Sequence, residues 1–315
     1  MKDLIQFIKD FDHIVIAKHK SPDWDTHGSA YGLKSIIKTN FPSKNVYIVG
    51  WDMESDCREK DEAILNEEIL EKCLFITVDV ANYDRIDFDR LEHIKTIYKI
   101  DHHIEVDNFT QFKLVEDNAI ACTQVITLWA YDNSLIIDKK AARYLFYGLI
   151  TDSARFLYKN TNSKSFKAAM ILSEVFTEIT TVYESLYLKS IHQARWNSKC
   201  FSKIKQLKNE KVAYLKIKKK DFKNKNLTEF EVKSSLSIFL NIKEIEVWYI
   251  AYESNSSKKI KVSLRSRKHN VNKVAEKFGG GGHILASGLT LQSWKELKLL
   301  NKELDKLFKE DKVDE

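Results

Sequence analysis

Short apolar runs alternate with helical patterns through the first half of the chain. The four runs are rich in β-branched residues: HIVIA (13–17), NVYIVG (45–50), CLFITVDV (73–80) and TIYKID (96–101). Such runs are typical of strands buried on both faces. Helical patterns over 29–38, 61–70 and about 85–91 separate them, and further helices follow residue 112. This alternation predicts a parallel sheet with helices on both faces.

A second, smaller pattern begins near residue 210. It predicts strands at 212–220, 245–253 and 259–267, a helix over 228–240 and a short helix over 271–278. In the third strand polar residues alternate with apolar ones, which predicts a basic face carrying Lys261, Ser263, Arg265 and Arg267.

The two patterns together predict an α/β chain with two domains. We expect a parallel-sheet domain over 1–190, a helical linker over 191–210 and a smaller mixed α/β domain over 211–315. A length of 315 residues fits two cores. We further expect the active site to lie in the cleft between the two domains.

Composition narrows the class of protein. The chain is 43% hydrophobic and 30% charged, as globular proteins are, and its net charge of +6 favours anionic partners weakly. The N-terminus lacks the apolar core of a signal peptide, so we expect a soluble cytoplasmic protein without a membrane partner. The four cysteines form no CxxC pair and indicate neither a zinc site nor a disulfide framework.

Acidic residues and histidines follow the predicted strands. His19, Asp23 and Asp25 lie in the loop HKSPDWDTHGS (19–29) after the first strand, Asp79 ends the third, and Asp101-His102-His103 ends the fourth. Because the carboxyl ends of parallel strands form the ligand-binding edge of such sheets, we expect these side chains to converge. An extended loop would let Asp23 and Asp25 turn toward one point. Asp152, at the end of the helical run LFYGLIT, supplies a fourth group.

Converging carboxylates repel one another unless a cation lies between them. Carboxylate and imidazole without thiolate suit Mn²⁺ or Mg²⁺ better than structural zinc. Taken singly, each residue has another interpretation: the aspartates as turn or capping residues and the histidines as polar residues at a strand end. Taken together, they predict a shared metal site.

These residues carry a family resemblance. DWDTHGS resembles the DxDxxGS signature of the DHH phosphoesterase superfamily, which is named for the triplet found here at 101–103. TDSARF (151–156) is similar to its fourth motif, and SLRSR (263–267) and GGGGHILASG (279–288) resemble its associated C-terminal domain. The two-domain layout resembles the oligoribonuclease and pAp-phosphatase type.

The resemblance implies hydrolysis of phosphoesters with two metal ions, usually Mn²⁺, with Mg²⁺ or Co²⁺ as substitutes. It implies that Asp25 or Asp79 bridges the ions, that Asp101 supports the site and that His103 faces the substrate phosphate. The implied catalytic residues are Asp101, His102 and His103, and the implied metal ligands are His19, Asp23, Asp25, Asp79, His102 and Asp152.

The C-terminal domain is expected to bind the substrate. Arg265 can form a fork with phosphate oxygens, and the glycine run lets backbone N–H groups approach a phosphate. The expected substrate-binding residues are His103, Arg265, Gly280, Gly281, Gly282 and His283. Expected substrates are short oligonucleotides or nucleotide phosphates, and a homodimer is allowed. Trp24 and Ala154 stand where the family often has glycine, which bears on substrate preference rather than on the metal ligands.

Other functions stay open from sequence alone. The same metals and cleft would serve a cyclic or linear dinucleotide phosphodiesterase. A RecJ-type single-strand exonuclease is disfavoured because the chain lacks room for a further strand-gripping domain. An inorganic pyrophosphatase of the superfamily is disfavoured by the GGGGH loop. A non-catalytic nucleotide-binding protein would be expected to lack one of the metal-ligating residues, and none of them is missing from the sequence.

Overall fold

The computed structural model describes residues 3–105, 107–222, 227–254 and 259–310, apart from the side chains of residues 283, 309 and 310. The chain divides into two compact units, Met1–Leu188 and Lys189–Glu315. None of the helices within these ranges is both long enough and apolar enough to cross a bilayer. Each unit has its own β-sheet, which confirms the predicted α/β class.

The first unit contains a parallel sheet of five strands in the order β2-β1-β5-β6-β7. Its elements are α1 (Leu4–Asp10), β1 (His13–Ala17), α2 (Trp24–Asn40), β2 (Asn45–Val49), β3 (Trp51–Asp52), β4 (Cys57–Arg58), α3 (Glu67–Lys72), β5 (Leu74–Val78), β6 (Thr96–Asp101), β7 (Lys113–Val115), α4 (Cys122–Asp132), α5 (Lys139–Asp152), α6 (Ser163–Val175) and α7 (Ile179–Tyr187). Short 3₁₀ turns lie at Lys60–Ala63, Tyr83–Arg85 and Leu91–His93.

The central strands of this sheet are buried on both faces. Ile14 and Ile16 of β1 pack into one apolar cluster, and Val15 and Ala17 pack into another on the opposite face. Every residue of β5 is buried. Burial on both faces explains why these strands appear in the sequence as continuous apolar runs rather than as alternating patterns.

The second unit contains a mixed sheet in the order β12-β13-β11-β10-β9-β8, in which only β10 and β9 pair in parallel. Its elements are α8 (Ile191–Phe201), β8 (Lys205–Gln206), β9 (Val212–Ile217), α9 (Lys219–Phe222), α10 (Glu229–Ser234), a 3₁₀ helix (Ser235–Phe239), β10 (Val247–Glu253), β11 (Ile260–Ser266), α11 (Asn272–Glu276), β12 (Gly281–His283), β13 (Ala286–Leu291) and α12 (Leu297–Glu310). Apolar clusters cover both faces of this sheet.

Helix α8 falls within the range predicted as a linker. Its residues Trp196 and Cys200 are buried in the same apolar cluster as β9 and β10. The Trp196 indole donates a hydrogen bond of 2.8 Å to the Ser235 hydroxyl. Residues 191–201 therefore pack as part of the second unit, and the predicted domain boundaries themselves stay a prediction.

Helix α2 begins earlier than predicted. The prediction of an extended loop through Asp25, followed by a helix over 29–38, is wrong, because the helix starts at Trp24. Asp23 is its N-cap, and the Asp23 carboxylate accepts hydrogen bonds from the backbone N–H groups of Asp25 and Thr26. A capping aspartate satisfies N–H groups that the first helical turn leaves without partners, and so it fixes the start of the helix.

Helices α2 and α5 are in close contact at two glycines, which have no side chain to hold the two backbones apart. A Cβ atom on Gly28 would lie 2.4 Å from the carbonyl oxygen of Tyr144, and one on Gly148 would lie 2.9 Å from Oδ1 of Asp25. Both distances are below ordinary van der Waals contact. This close approach brings the end of α5, with Asp152, beside the first turn of α2.

Candidate metal centre and active site

The predicted acidic and histidine residues lie at one edge of the first sheet. His19 lies two residues beyond β1, Asp79 directly follows β5, and Asp101 is the last residue of β6. Since β1, β5 and β6 are neighbours in the sheet, their carboxyl ends meet at that edge. Asp79 has a φ of +59°, in the left-handed region that aspartate and asparagine tolerate better than most residues. The chain thus turns sharply as it leaves β5.

One group consists of His19, Asp23 and Asp79. Nε2 of His19 lies 3.7 Å from Oδ1 of Asp23 and 3.5 Å from Oδ2 of Asp79. One ligand atom from each of the three residues lies within 4.8 Å of the others, which is compatible with a single cation. His19 and Asp79 are buried, whereas Asp23 is exposed.

A second group consists of Asp25, His102 and Asp152. Nε2 of His102 lies 3.6 Å from Oδ2 of Asp25 and 3.4 Å from Oδ2 of Asp152. These three residues also offer ligand atoms within 4.8 Å of one another. Asp23 and Asp25 therefore belong to different groups rather than turning toward one point as predicted, because one caps helix α2 and the other lies in its first turn.

Asp79 belongs to the surroundings of both groups. Its Oδ2 faces His19, and its Oδ1 lies 3.4 Å from Nε2 of His102. Oδ1 is buried, and no hydrogen bond of good geometry reaches it from any residue in the described ranges. A buried carboxylate oxygen without such a partner is costly unless a cation or water satisfies it. The position of Asp79 therefore fits a carboxylate shared between two cations.

The two imidazoles are held in the same way. Nδ1 of His19 lies 3.0 Å from the carbonyl oxygen of Lys20, and Nδ1 of His102 lies 3.2 Å from that of Ala119. A carbonyl oxygen can only accept, so each Nδ1 carries the hydrogen in these contacts. Each Nε2 is then the nitrogen that faces the carboxylates, which is the usual arrangement of histidine metal ligands.

The Asp25 carboxylate is fixed by the N-terminus of helix α4. Its oxygens accept hydrogen bonds from the backbone N–H groups of Cys122 (2.7 Å) and Thr123 (3.0 Å), and from the Thr123 hydroxyl (2.8 Å). The N-cap residue of α4, Ala121, makes no side-chain cap of its own. Asp25 thus supplies the missing cap from a distant part of the chain, and both of its oxygens are held in place.

Asp101 organises the triplet after β6. Its Oδ1 accepts hydrogen bonds of 2.8 Å from the backbone N–H of His102 and from Nδ1 of His103. Its Oδ2 lies 3.1 Å from Nζ of the buried Lys99. Asp101 is fully buried, whereas the His103 side chain is 24% exposed, more than that of either other histidine of the site. Asp101 therefore positions His103 beside the two groups.

The protonation pattern reflects the crowding of charge. Burial and the charge of Asp79 raise the pKa of Asp25 to about 7, and burial and Asp25 raise the pKa of Asp152 well above its usual range. Burial alone would raise the pKa of Asp79, but the imidazoles of His102 and His19 outweigh it and lower that pKa. Without a cation the site retains protons on carboxylic acids, and cation binding would displace them.

The predicted substrate-binding residues of the second unit lie at one end of its sheet. Arg265 in β11 and His283 in β12 both pair with Ala286 of β13, so their backbones are about 10 Å apart. Gly282 has a φ of +139°, and a Cβ on Gly280 would lie 2.2 Å from the carbonyl oxygen of Gly288. Gly281 opens β12, so the predicted loop is partly an edge strand. The side chain of His283 lies outside the described part of the structure.

Comparisons with known proteins agree with this geometry. A family model described as "DHH family, N-terminal domain" matches residues 13–149, and one described as "DHHA1 domain" matches residues 209–310. The "probable bifunctional oligoribonuclease and PAP phosphatase NrnA" of Streptococcus mutans is 33% identical over 98% of this chain and 99% of its own. The chain belongs to the DHH family. It is therefore a phosphoesterase, a hydrolase, as the resemblance implied.

Other similar proteins extend over the whole of this DHH-family chain. The "bifunctional oligoribonuclease and PAP phosphatase NrnA" of Bacillus subtilis is 30% identical over 98% of both chains. The crystal structure of an exopolyphosphatase-related protein from Bacteroides fragilis superposes with a TM-score of 0.83 and covers 97% of this chain and 96% of its own. At 21% identity that structure supports the fold alone.

Two of the departures from the family pattern have visible structural effects. The Trp24 ring stacks on Tyr147 with centroids 4.5 Å apart, so one of its faces is covered. Ala154, Arg155 and Phe156 have φ values of +48°, +66° and +65°, three consecutive residues in the left-handed region. Left-handed backbone is unfavourable for residues with a Cβ, so a strained turn directly follows Asp152 and Ser153.

Sequence reasoning missed the residues that hold the site in place. Lys99 carries a signal, because a lysine inside a buried strand needs a charged partner, and that partner is Asp101. No sequence signal identifies Thr123, Gly148 or the Ala119 carbonyl, because their contacts with the site depend on how α4 and α5 pack.

Proposed function

We propose that this DHH-family hydrolase cleaves phosphoester bonds in short oligoribonucleotides and in the nucleotide bisphosphate pAp, using two divalent cations, with Mn²⁺ as the preferred ion. The observation that carries the proposal is the Asp79 carboxylate, whose two oxygens face two separate groups of ligand atoms. The names of two relatives that match the whole chain support the substrate class. The oxygen and imidazole donors support the choice of ion.

The proposed metal ligands fall into two sets, one for each ion. His19 and Asp23 would hold one ion, Asp25, His102 and Asp152 would hold the other, and Asp79 would bridge them. When bound, two such ions polarise phosphoryl oxygens and make a water nucleophilic near neutral pH. The N–H groups of α4 donate to Asp25, and the imidazoles of His19 and His102 donate from Nδ1 to the carbonyl oxygens of Lys20 and Ala119. These hydrogen bonds keep the side chains oriented before substrate binds.

His103 would contact the substrate phosphate. Because Asp101 accepts from Nδ1, the ring orientation is fixed, and Nε2 is the ring atom that would meet a phosphate oxygen. Asp101 acts on His103 and on the backbone of the triplet, and so it is a positioning residue. Arg265 and the backbone of Gly280–Gly282 are proposed to bind a second phosphate group of the substrate.

A substrate panel tests this proposal. Purified protein is incubated with pAp, with RNA and DNA of two to five nucleotides, with cyclic dinucleotides and with pyrophosphate, in Mn²⁺ and separately in EDTA. We expect hydrolysis of pAp and of the short RNAs in Mn²⁺ and none in EDTA. If only cyclic dinucleotides or pyrophosphate are hydrolysed, the proposed substrates are wrong. Undiminished hydrolysis in EDTA would reject the role of the cations.

A further inference from the structure

A buried histidine outside the metal centre has no hydrogen-bond partner among the residues that the structure describes. His27 lies in the first turn of α2, its side chain is fully buried, and within the described part of the chain neither ring nitrogen makes a hydrogen bond. The rings of Trp24 and Tyr31 lie at centroid distances of 5.5 Å and 4.6 Å. A buried polar side chain in such a setting is unfavourable unless something else satisfies it.

Carboxylates surround this imidazole. Nε2 of His27 lies 3.7 Å from Oε2 of Glu54, and His27, Asp52 and Glu59 offer ligand atoms that all lie within 4.8 Å of one another. Asp52 lies in strand β3, and Glu54 lies in the turn between β3 and β4. The buried Glu59 directly follows β4. A ring nitrogen of His27 therefore lies among carboxylate oxygens that could share a cation with it.

The charges near His27 do not balance. The Lys18 ammonium bonds to Oε1 of Glu59, and the Tyr31 hydroxyl donates to the same carboxylate. Arg58 is engaged elsewhere, with Glu62 and Asp87 at 2.8 Å and 2.6 Å. The carboxylates of Asp52, Glu54 and Glu59 outnumber the nearby cations, which are the Lys18 ammonium and the Arg143 guanidinium that interacts with Glu54. The net negative charge beside the histidine favours an added cation.

We propose that His27, Asp52 and Glu59 form an additional divalent-cation site, with Glu54 as a fourth donor. One imidazole with carboxylates suits Mn²⁺ and related first-row ions. None of these four residues takes part in the proposed reaction. A cation there would fasten the β3–β4 hairpin to helix α2, because three of the four donors come from the hairpin region and one comes from the helix.

Counting bound ions tests the site. The full-length chain is equilibrated with Mn²⁺ by dialysis and its manganese content is measured by elemental analysis. We expect Asp52→Asn and His27→Phe each to bind one ion fewer per chain than the unchanged protein. Asp56→Asn, an exposed residue of the same hairpin, is the matched control and should bind the full number.

A fourth variant separates this site from the metal centre. Asp79→Asn is expected to lose ions that Asp52→Asn retains, and the double variant should lose both sets. If Asp52→Asn and His27→Phe, shown to be folded by circular dichroism, bind as many ions as the unchanged protein, the proposal is rejected and Lys18 is the resident cation of the cluster. If only Asp79→Asn loses bound ions, the proposed function stands and the proposed cation site at His27 is refuted.

Discussion

Nε2 of His102 lies 3.4 Å from Oδ1 of Asp79, although the two residues leave different strands of the sheet. Asp79 follows β5 and His102 follows β6, and these strands pair in parallel from Leu74–Thr96 to Val78–Ile100. The register aligns Asp79 with Asp101, and His102 is the next residue after Asp101. The contact joins the two groups of ligand atoms and makes Asp79 the residue on which both depend.

Asp79→Asn is expected to reduce hydrolysis of an RNA dinucleotide by about 10³-fold, since Lewis-acid stabilisation is worth several kcal/mol. Asparagine tolerates the left-handed backbone at this position, so the fold should persist. Steady-state rates in Mn²⁺ measure the effect. Asp84→Asn, an exposed aspartate five residues further on, is the control. Activity within tenfold of the unchanged protein in a folded Asp79→Asn would contradict the role of Asp79.

Mn²⁺ is expected to stabilise the fold, because a cation relieves repulsion among buried carboxylates. Mass action gives about 2.7 kcal/mol at one hundred times the dissociation constant. The midpoint of thermal unfolding should rise on adding Mn²⁺ and fall again with EDTA. Asp79→Asn should lose most of this shift. Equal shifts in both proteins would show that Mn²⁺ stabilises the fold elsewhere.

Arg265→Ala is expected to raise KM about 10-fold or more for pAp while kcat changes little. A charged hydrogen bond contributes ~1.5–3 kcal/mol, and a contact with a phosphate that does not react is made equally in the ground and transition states. The matched control is Lys261→Ala, on the same strand and exposed. An unchanged KM would mean that the second phosphate binds elsewhere.

Ala154→Gly is expected to stabilise the protein. Ala154 has a φ of +48°, which costs a residue with a Cβ roughly 1–2 kcal/mol, whereas glycine adopts it freely. Glycine loses more conformational entropy on folding, which reduces the expected gain in the free energy of unfolding to ~0.5–1 kcal/mol. Chemical denaturation measures this difference. Ala168→Gly, in the middle of helix α6, should be destabilising instead, and equal effects at the two positions would disprove the strain argument.

Glu246 should make the stability of the second unit depend on pH. Burial alone would raise its pKa, but contacts with His269, Lys268 and Lys211 outweigh burial and lower the pKa to about 2. A carboxyl with a depressed pKa stabilises the fold above its unfolded pKa, and that contribution disappears as pH falls toward the folded value. Glu246→Gln should cost ~1 kcal/mol at neutral pH after allowance for solvent screening.

The difference between Glu246→Gln and the unchanged protein should therefore shrink between about pH 4.5 and pH 2. Thermal unfolding followed across this range checks the expectation. Glu244→Gln, exposed and two residues earlier, serves as the control. A difference that stays constant with pH would show that the ion contacts of Glu246 do not stabilise the fold.

The strands of the first sheet are predictable from sequence because burial on both faces leaves a continuous apolar run. The predicted bounds of β1 and β6 match the structure residue for residue. Strand β7 was not predicted, since its three residues are only half-buried and carry no such pattern. The convergence of His19, Asp79 and His102 follows from their positions after parallel strands, which the alternating pattern predicted. That β1, β5 and β6 are neighbours comes from the structure.

The finer geometry of the site depends on tertiary contacts that no local pattern encodes. The division of Asp23 and Asp25 between two groups follows from the early start of α2. The hydrogen bonds of Asp25 follow from the position of α4, ninety-seven residues later in the chain. Arg267, predicted to lie on a basic face, instead donates to the carbonyl oxygens of Leu240, Ile242 and Ile245.

The residues around Asp79 are scattered from position 19 to position 152, and the last of them ends helix α5. During synthesis, a nascent chain shorter than this lacks Asp152, and the N-terminal N–H groups of α4 that hold Asp25 emerge only after residue 122. The complete set of ligand atoms therefore exists only once nearly all of the first unit has left the ribosome. Binding of the proposed cations at this centre would therefore follow the folding of most of the first unit rather than precede it.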